Sequence, residues 1–114
     1  MKGRNLNTHT GALEHLVSHL EIIGIDRRKV DWVIKELEIL KEGSANQEKA
    51  CDVVVGYETD KTVDLIEVKH SRDSLEKATT QLYNTKEHFV DRIGYKTRDK
   101  YIFYYPTLDY EKVN

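Results

Sequence analysis

The chain holds one cysteine, one proline and one tryptophan in 114 residues, and each scarcity excludes something. A single thiol, Cys51, allows neither an internal disulfide nor a multi-cysteine zinc site. Set within a predicted strand, it reads as a structural thiol. Proline occurs only at position 106, so elements can run long and loops must be marked by glycine and polar residues. No apolar run approaches the roughly 18 residues of a membrane-spanning helix. The basic start, Met1 to Leu6, lacks the apolar stretch of a signal peptide, so an intracellular, cytoplasmic protein is expected. No glycine-rich phosphate cradle is present, and no nucleotide cofactor is expected. No serine stands in a glycine-flanked nucleophile motif. Charge of one sign is missing too: 18 Lys and Arg face 20 Asp and Glu, for a net charge of -2. That balance argues against an indiscriminate polyanion binder. An acidic metal centre remains open, because bound cations restore a local positive potential.

What is present suits one domain over residues 1–114, with a core at about 9–106 and a tail at 107–114. Leu13, Leu16, Val17, Leu20 and Ile23 recur at helical spacing and predict a helix over 9–23, closed by Gly24. A second helix is predicted over 26–42, with Asp26 as N-cap and Gly43 past its end. Its stripe is Val30, Val33, Ile34, Leu37 and Leu40, while Trp32 and Ile39 fall on the other side. That second apolar face suits either a surface helix or a partner surface. Residues 51–57 and 63–70, around a polar turn at 58–62, predict a β-hairpin. Ser71 or Asp73 can cap a third helix running to about Ile93, with Leu75, Ala78, Thr79, Leu82, Phe89 and Ile93 on one face and Gly94 at its end. A last strand is predicted over 100–105, and the tail beyond Pro106 either packs back or stays loose. The expected class is α/β or α+β, a small mixed sheet flanked by helices in the order α-α-β-β-α-β.

The hairpin carries the chemistry. Asp52 lies near the start of one strand, and Glu67 and Lys69 lie toward the end of the next. In an antiparallel pair those ends are neighbours, and residues two apart on a strand share a face. Magnesium asks for one or two carboxylates, with water and phosphate oxygens completing its shell. The metal polarises a phosphoryl oxygen and activates water near neutral pH. A lysine beside it orients that water or stabilises developing charge. The carbonyl of Val68 is placed to complete the coordination.

These residues resemble the PD-(D/E)XK nuclease superfamily, whose pattern is an acidic residue on one strand and an acidic-X-lysine triplet on the next. Here it reads Cys51-Asp52 and Glu67-Val68-Lys69. The usual proline before the aspartate is Cys51, and proline supplies no ligand. The match covers roughly residues 11–91, with the second helix an addition where some relatives have a strand. The resemblance implies a restriction-endonuclease-like fold and magnesium-dependent hydrolysis of DNA, with manganese as a substitute. It implies catalytic or metal-supporting roles for Gln81, on the helix after the triplet, and for Glu14, on the first helix. Glu21 competes with Glu14, and Thr85 stands where many relatives carry a tyrosine. Such nucleases often form homodimers, for which the second face of helix two offers a surface. A Holliday-junction resolvase is the rival within nucleases, and a catalytically idle nucleic-acid- or protein-binding module is the rival outside them.

Against the triplet stands a bland alternative, in which Glu67 and Lys69 are a solvated strand edge and Asp52 a loop cap. His15 and His19 lie four apart but opposite the apolar stripe, so a solvated face outweighs a zinc site. His70 and His88 read as packing or surface residues. Residues 92–105 interleave basic and aromatic side chains, as a single-strand track would, although an amphipathic strand is the favoured reading. Arg72, Lys77 and Lys86 are alternative phosphate contacts.

Overall fold

A computed structural model describes residues 5–35, 50–72 and 75–113. Helix α1 (His9–Ser18) opens at Thr8, whose hydroxyl accepts from the Gly11 amide at 3.0 Å. A 3₁₀ turn (Leu20–Ile23) extends it, and Gly24 ends it in the left-handed region at φ 83°, so the expected first helix stands with a tightened last turn.

The second helix is not formed over 26–35. Asp26 caps only a 3₁₀ turn (Arg27–Lys29), and the chain then runs into strand β1 (Trp32–Lys35); residues 36–42 lie outside the described residues. The two apolar faces explain the difference. Val33 packs into the cluster beneath α1, whereas Trp32 and Ile34 pack into the opposite one. A strand covered on both sides shows this alternation, which resembles a two-faced helix when read over a short window. The helical surface suggested for a homodimer is therefore absent from those residues. Trp32 instead lies over Gly56, where an added Cβ would meet its ring at 2.0 Å, and its indole donates to Glu58 at 2.9 Å.

Strands β2 (Val53–Tyr57) and β3 (Thr62–Lys69) form the expected hairpin, with Val53 opposite Ile66. Helix α2 (Leu75–Thr85) then crosses over to β4 (Lys96–Tyr104), which runs parallel to β3. The third helix ends in a wider π turn (Lys86–Val90), and Gly94 sits at φ 80°. That turn rotates the register, so Val90 joins Phe89 in the core while Ile93 stays 37% exposed. The tail packs back as β5 (Tyr110–Val113), antiparallel to β4. Among the described residues the order is thus α-β-β-β-α-β-β, which departs from the expected α-α-β-β-α-β by the strand at 32–35 and the strand at 110–113.

The result is a small mixed α+β fold with a five-stranded sheet in the order β1-β2-β3-β4-β5. One face, with Val53, Val55, Ile66, Val68 and Phe103, packs on Ala12, Leu16 and Leu20 from the first helix. The other, with Val54, Leu65 and Ile102, packs on Ala78 and Leu82 of α2. Each fully buried Leu in these layers contributes about 2 kcal/mol. No helix among the described residues is long and apolar enough to cross a membrane. Central β3 is buried from Val63 to Val68, so its two acidic residues, Asp64 and Glu67, must find partners inside the protein.

Candidate active site

Asp52 is fixed from two directions. The preceding amide, Cys51 N–H, donates to Thr85 Oγ1 on α2 at 2.7 Å. Its own amide donates to Glu67 Oε1 at 3.1 Å, and its Oδ2 accepts from the Val68 amide at 2.7 Å. The strand ends of the hairpin therefore meet as their pairing requires. Lys69 completes the group, with Nζ 3.2 Å from Glu67 Oε2.

Burial overturns the solvated-edge alternative: Asp52 is 4% exposed and Glu67 1% exposed. The Lys69 side chain is 19% exposed, more open than the two carboxyls it joins. Burial, and after it the hydrogen bond and charge of Asp52, push Glu67 up to about 10, with Lys69 opposing. For Asp52, burial acts upward, yet hydrogen bonds from His9, Glu67 and the Val68 amide outweigh it and hold the carboxyl below its ordinary value. Without a cation, one proton thus stays on Glu67 between two buried carboxyls.

The main chain adds an acceptor. Val68 sends its N–H toward Asp52, while the carbonyl of the next residue, Lys69, accepts from Tyr105 N–H at 3.0 Å on the β4 side. In an extended strand the N–H and C=O of one residue point to the same edge. The Val68 carbonyl accordingly faces the β2 side, beyond the start of that strand.

Gln81 lies one turn before Thr85, whose hydroxyl donates to the Gln81 carbonyl at 2.9 Å. Its side-chain Oε1 is buried and accepts no hydrogen bond among the described residues. Glu14 is exposed on α1, and Glu21 is exposed on the following turn. The side chain that reaches the pair from α1 is His9, with Nε2 3.2 Å from Asp52 Oδ1. Sequence spacing gave no signal for His9, since it precedes the apolar stripe and meets Asp52 only through the packing of α1 on the sheet. Among the described residues, no group of three or more His, Cys, Asp or Glu side chains is arranged to hold an ion.

Other expectations resolve more quietly. Cys51 is a buried free thiol, pushed up chiefly by burial, as a structural cysteine should be. His15 and His19 stack on each other at 4.5 Å, and His70 is exposed with its ring edge toward Tyr105 at 5.2 Å. His88 has no described side chain. The basic and aromatic stretch forms β4, but its second half is not amphipathic: Tyr101 and Phe103 are buried in one core cluster and Ile102 and Tyr104 in the other, so these rings are unavailable for stacking on bases. Arg72 lies over the Tyr104 ring at 4.4 Å, Lys86 pairs with Asp91 at 3.4 Å, and Lys77 is exposed.

No family model matches the chain, and neither a curated protein nor a solved structure matches it. The functional reading accordingly stands on these residues and their geometry.

Proposed function

We propose that the protein is a divalent-metal-dependent nuclease that hydrolyses DNA phosphodiester bonds. The observation that carries this reading is the buried Asp52–Glu67 pair with Lys69 against it, where Glu67 holds a proton up to about 10. A site that keeps a proton between two carboxyls has the donor set for a cation in its place. Two carboxylates and a main-chain carbonyl suit magnesium, which retains water for the rest of its shell, and manganese is the natural substitute. The donorless Gln81 Oε1 is the kind of acceptor that a hydration water satisfies. A strand at 32–35, where an added helix was expected, also supports the restriction-endonuclease-like resemblance.

A bound divalent cation supplies Lewis-acid polarisation of the phosphoryl oxygen and a nucleophilic water near neutral pH. Asp52 and Glu67 would hold it, and Val68 would offer its carbonyl. Lys69, two residues beyond Glu67 on the same face of β3, directs its ammonium at the attacking water or at the charge developing on phosphate. The resolvase alternative leans on a helical glutamate beside the pair. Glu14 is exposed and His9 makes that approach, so the proposal stays with nucleases in general.

The test is cleavage of linear, nicked, flapped and four-way DNA with magnesium or manganese. Lys69→Ala should lower the rate at least ~100-fold. Undiminished cleavage in that variant sinks the assignment, and a wild type that binds these DNAs without cutting any is the idle module instead.

A further inference from the structure

Helix α1 delivers a residue to the carboxylate pair from its first turn. Thr8 fixes where the helix begins, which places His9 at its first position, and buried Ala12 and Leu16 seat the helix on the sheet. From there His9 Nε2 stands 3.2 Å from Asp52 Oδ1. The second oxygen of the same carboxylate takes the Val68 amide at 2.7 Å. Asp52 is thus clamped at both oxygens, by α1 on one side and by β3 on the other. Its side chain is 6% exposed, which leaves little room for water to replace a lost donor. His9 also meets the Tyr105 ring edge-on at 6.2 Å, and Tyr105 is tied to β3 through its amide on the Lys69 carbonyl.

We propose that His9 is a positioning residue of this centre: its Nε2–H fixes the Asp52 carboxylate in the orientation that receives a divalent cation. The proposal rests on the nuclease reading for the cation and adds a residue that the sequence pattern does not mark. A carboxylate ligand held by a second hydrogen bond needs no reorganisation when the ion arrives, and such supporting partners change metal affinity by about 10- to 100-fold. Asp52 remains the ligand, and His9 acts only through it.

The experiment is a titration of the intact protein with Mn2+ alone, followed by electron paramagnetic resonance of the free ion. His9→Ala should weaken binding by about 10- to 100-fold. His9→Gln, which keeps an amide donor at similar reach, should recover most of that loss. His9→Phe, which keeps a ring against Tyr105 without the donor, should bind as poorly as His9→Ala. Recovery by Phe and not by Gln would make His9 a packing residue and overturn the proposal. Wild-type affinity in His9→Ala, alongside lost binding in Asp52→Asn, would also overturn it while leaving the metal centre standing. Unchanged Mn2+ binding in Asp52→Asn would remove the cation reading itself, and His9's role with it.

Discussion

Strand β3 carries two buried carboxyl groups three residues apart, and their surroundings differ in kind. Asp64, fully buried, accepts from the Tyr57 hydroxyl at 2.6 Å, from Arg98 Nη2 at 2.7 Å and Nε at 3.1 Å, and from the Asp99 amide at 3.1 Å. Its charge is met by permanent partners, and Arg98 in turn stacks on the Tyr57 ring at 4.2 Å. Glu67, equally buried, faces another carboxyl, Asp52, and a single ammonium. The first arrangement is complete and does structural work. The second is short of positive charge and answers with a proton. Burial alone does not mark a functional acid; the sign of its neighbours does.

The comparison breaks most visibly at Arg98. Removing it as Arg98→Ala leaves Asp64 buried without its cation, and stability should fall by about 3 kcal/mol, a melting temperature lower by roughly 10 °C, with metal-dependent cleavage retained below the transition. Calorimetry with a parallel cleavage assay reads both. Lys69→Ala should do the reverse. The proton on Glu67 remains to neutralise it, so stability should change by less than about 1 kcal/mol in denaturant titration while cleavage is lost.

Protonation sharpens the contrast further. Glu67 is held up to about 10 in the fold and ionises near 4.5 when unfolded, so across that window the native state binds the extra proton. Metal-free stability should therefore fall as pH rises through it, with a slope approaching ~1.4 kcal/mol per pH unit for one proton. Asp52, held below its ordinary value, contributes in the opposite sense: its stabilisation is present above 3.8 and is lost as pH falls through the folded value. Glu67→Gln should flatten the slope on the alkaline side, and urea titrations at several pH values without metal check it. A slope that survives in Glu67→Gln would place the proton elsewhere. Around Asp64 the smaller effect belongs to Tyr57→Phe, which removes one of several donors and should cost about 1 kcal/mol by the same titration.

Local signals carried much of this far. Gly24 and Gly94 ended their segments in the left-handed conformation, the β-branched run at 51–57 and the alternation at 63–70 became β2 and β3, and the hairpin brought Asp52 to Glu67 and Lys69. Segment 26–35 misled because apolar residues on two faces fit a helix stripe as well as a strand covered on both sides, and β2 decides between them by pairing. Sequence reasoning leaves the tail between packing back and staying loose because an edge strand such as Tyr110–Val113 has little apolar content of its own and is ordered by its ladder to β4.

The triplet was legible for the same reason as the hairpin: it depends on which residues lie two apart and which strand ends adjoin, and sequence separation fixes both. The sequence alone therefore determined Asp52, Glu67 and Lys69 as a set. Tertiary structure decided how deeply they lie, that Glu67 keeps a proton, that the α1 side chain at Asp52 is His9 while Glu14 stays exposed, and that Asp64 is structural. Those properties come from helices laid across the sheet and from strands far apart in the chain. Dielectric and charge at a buried carboxyl depend on everything packed around it, and neighbours in sequence supply only part of that.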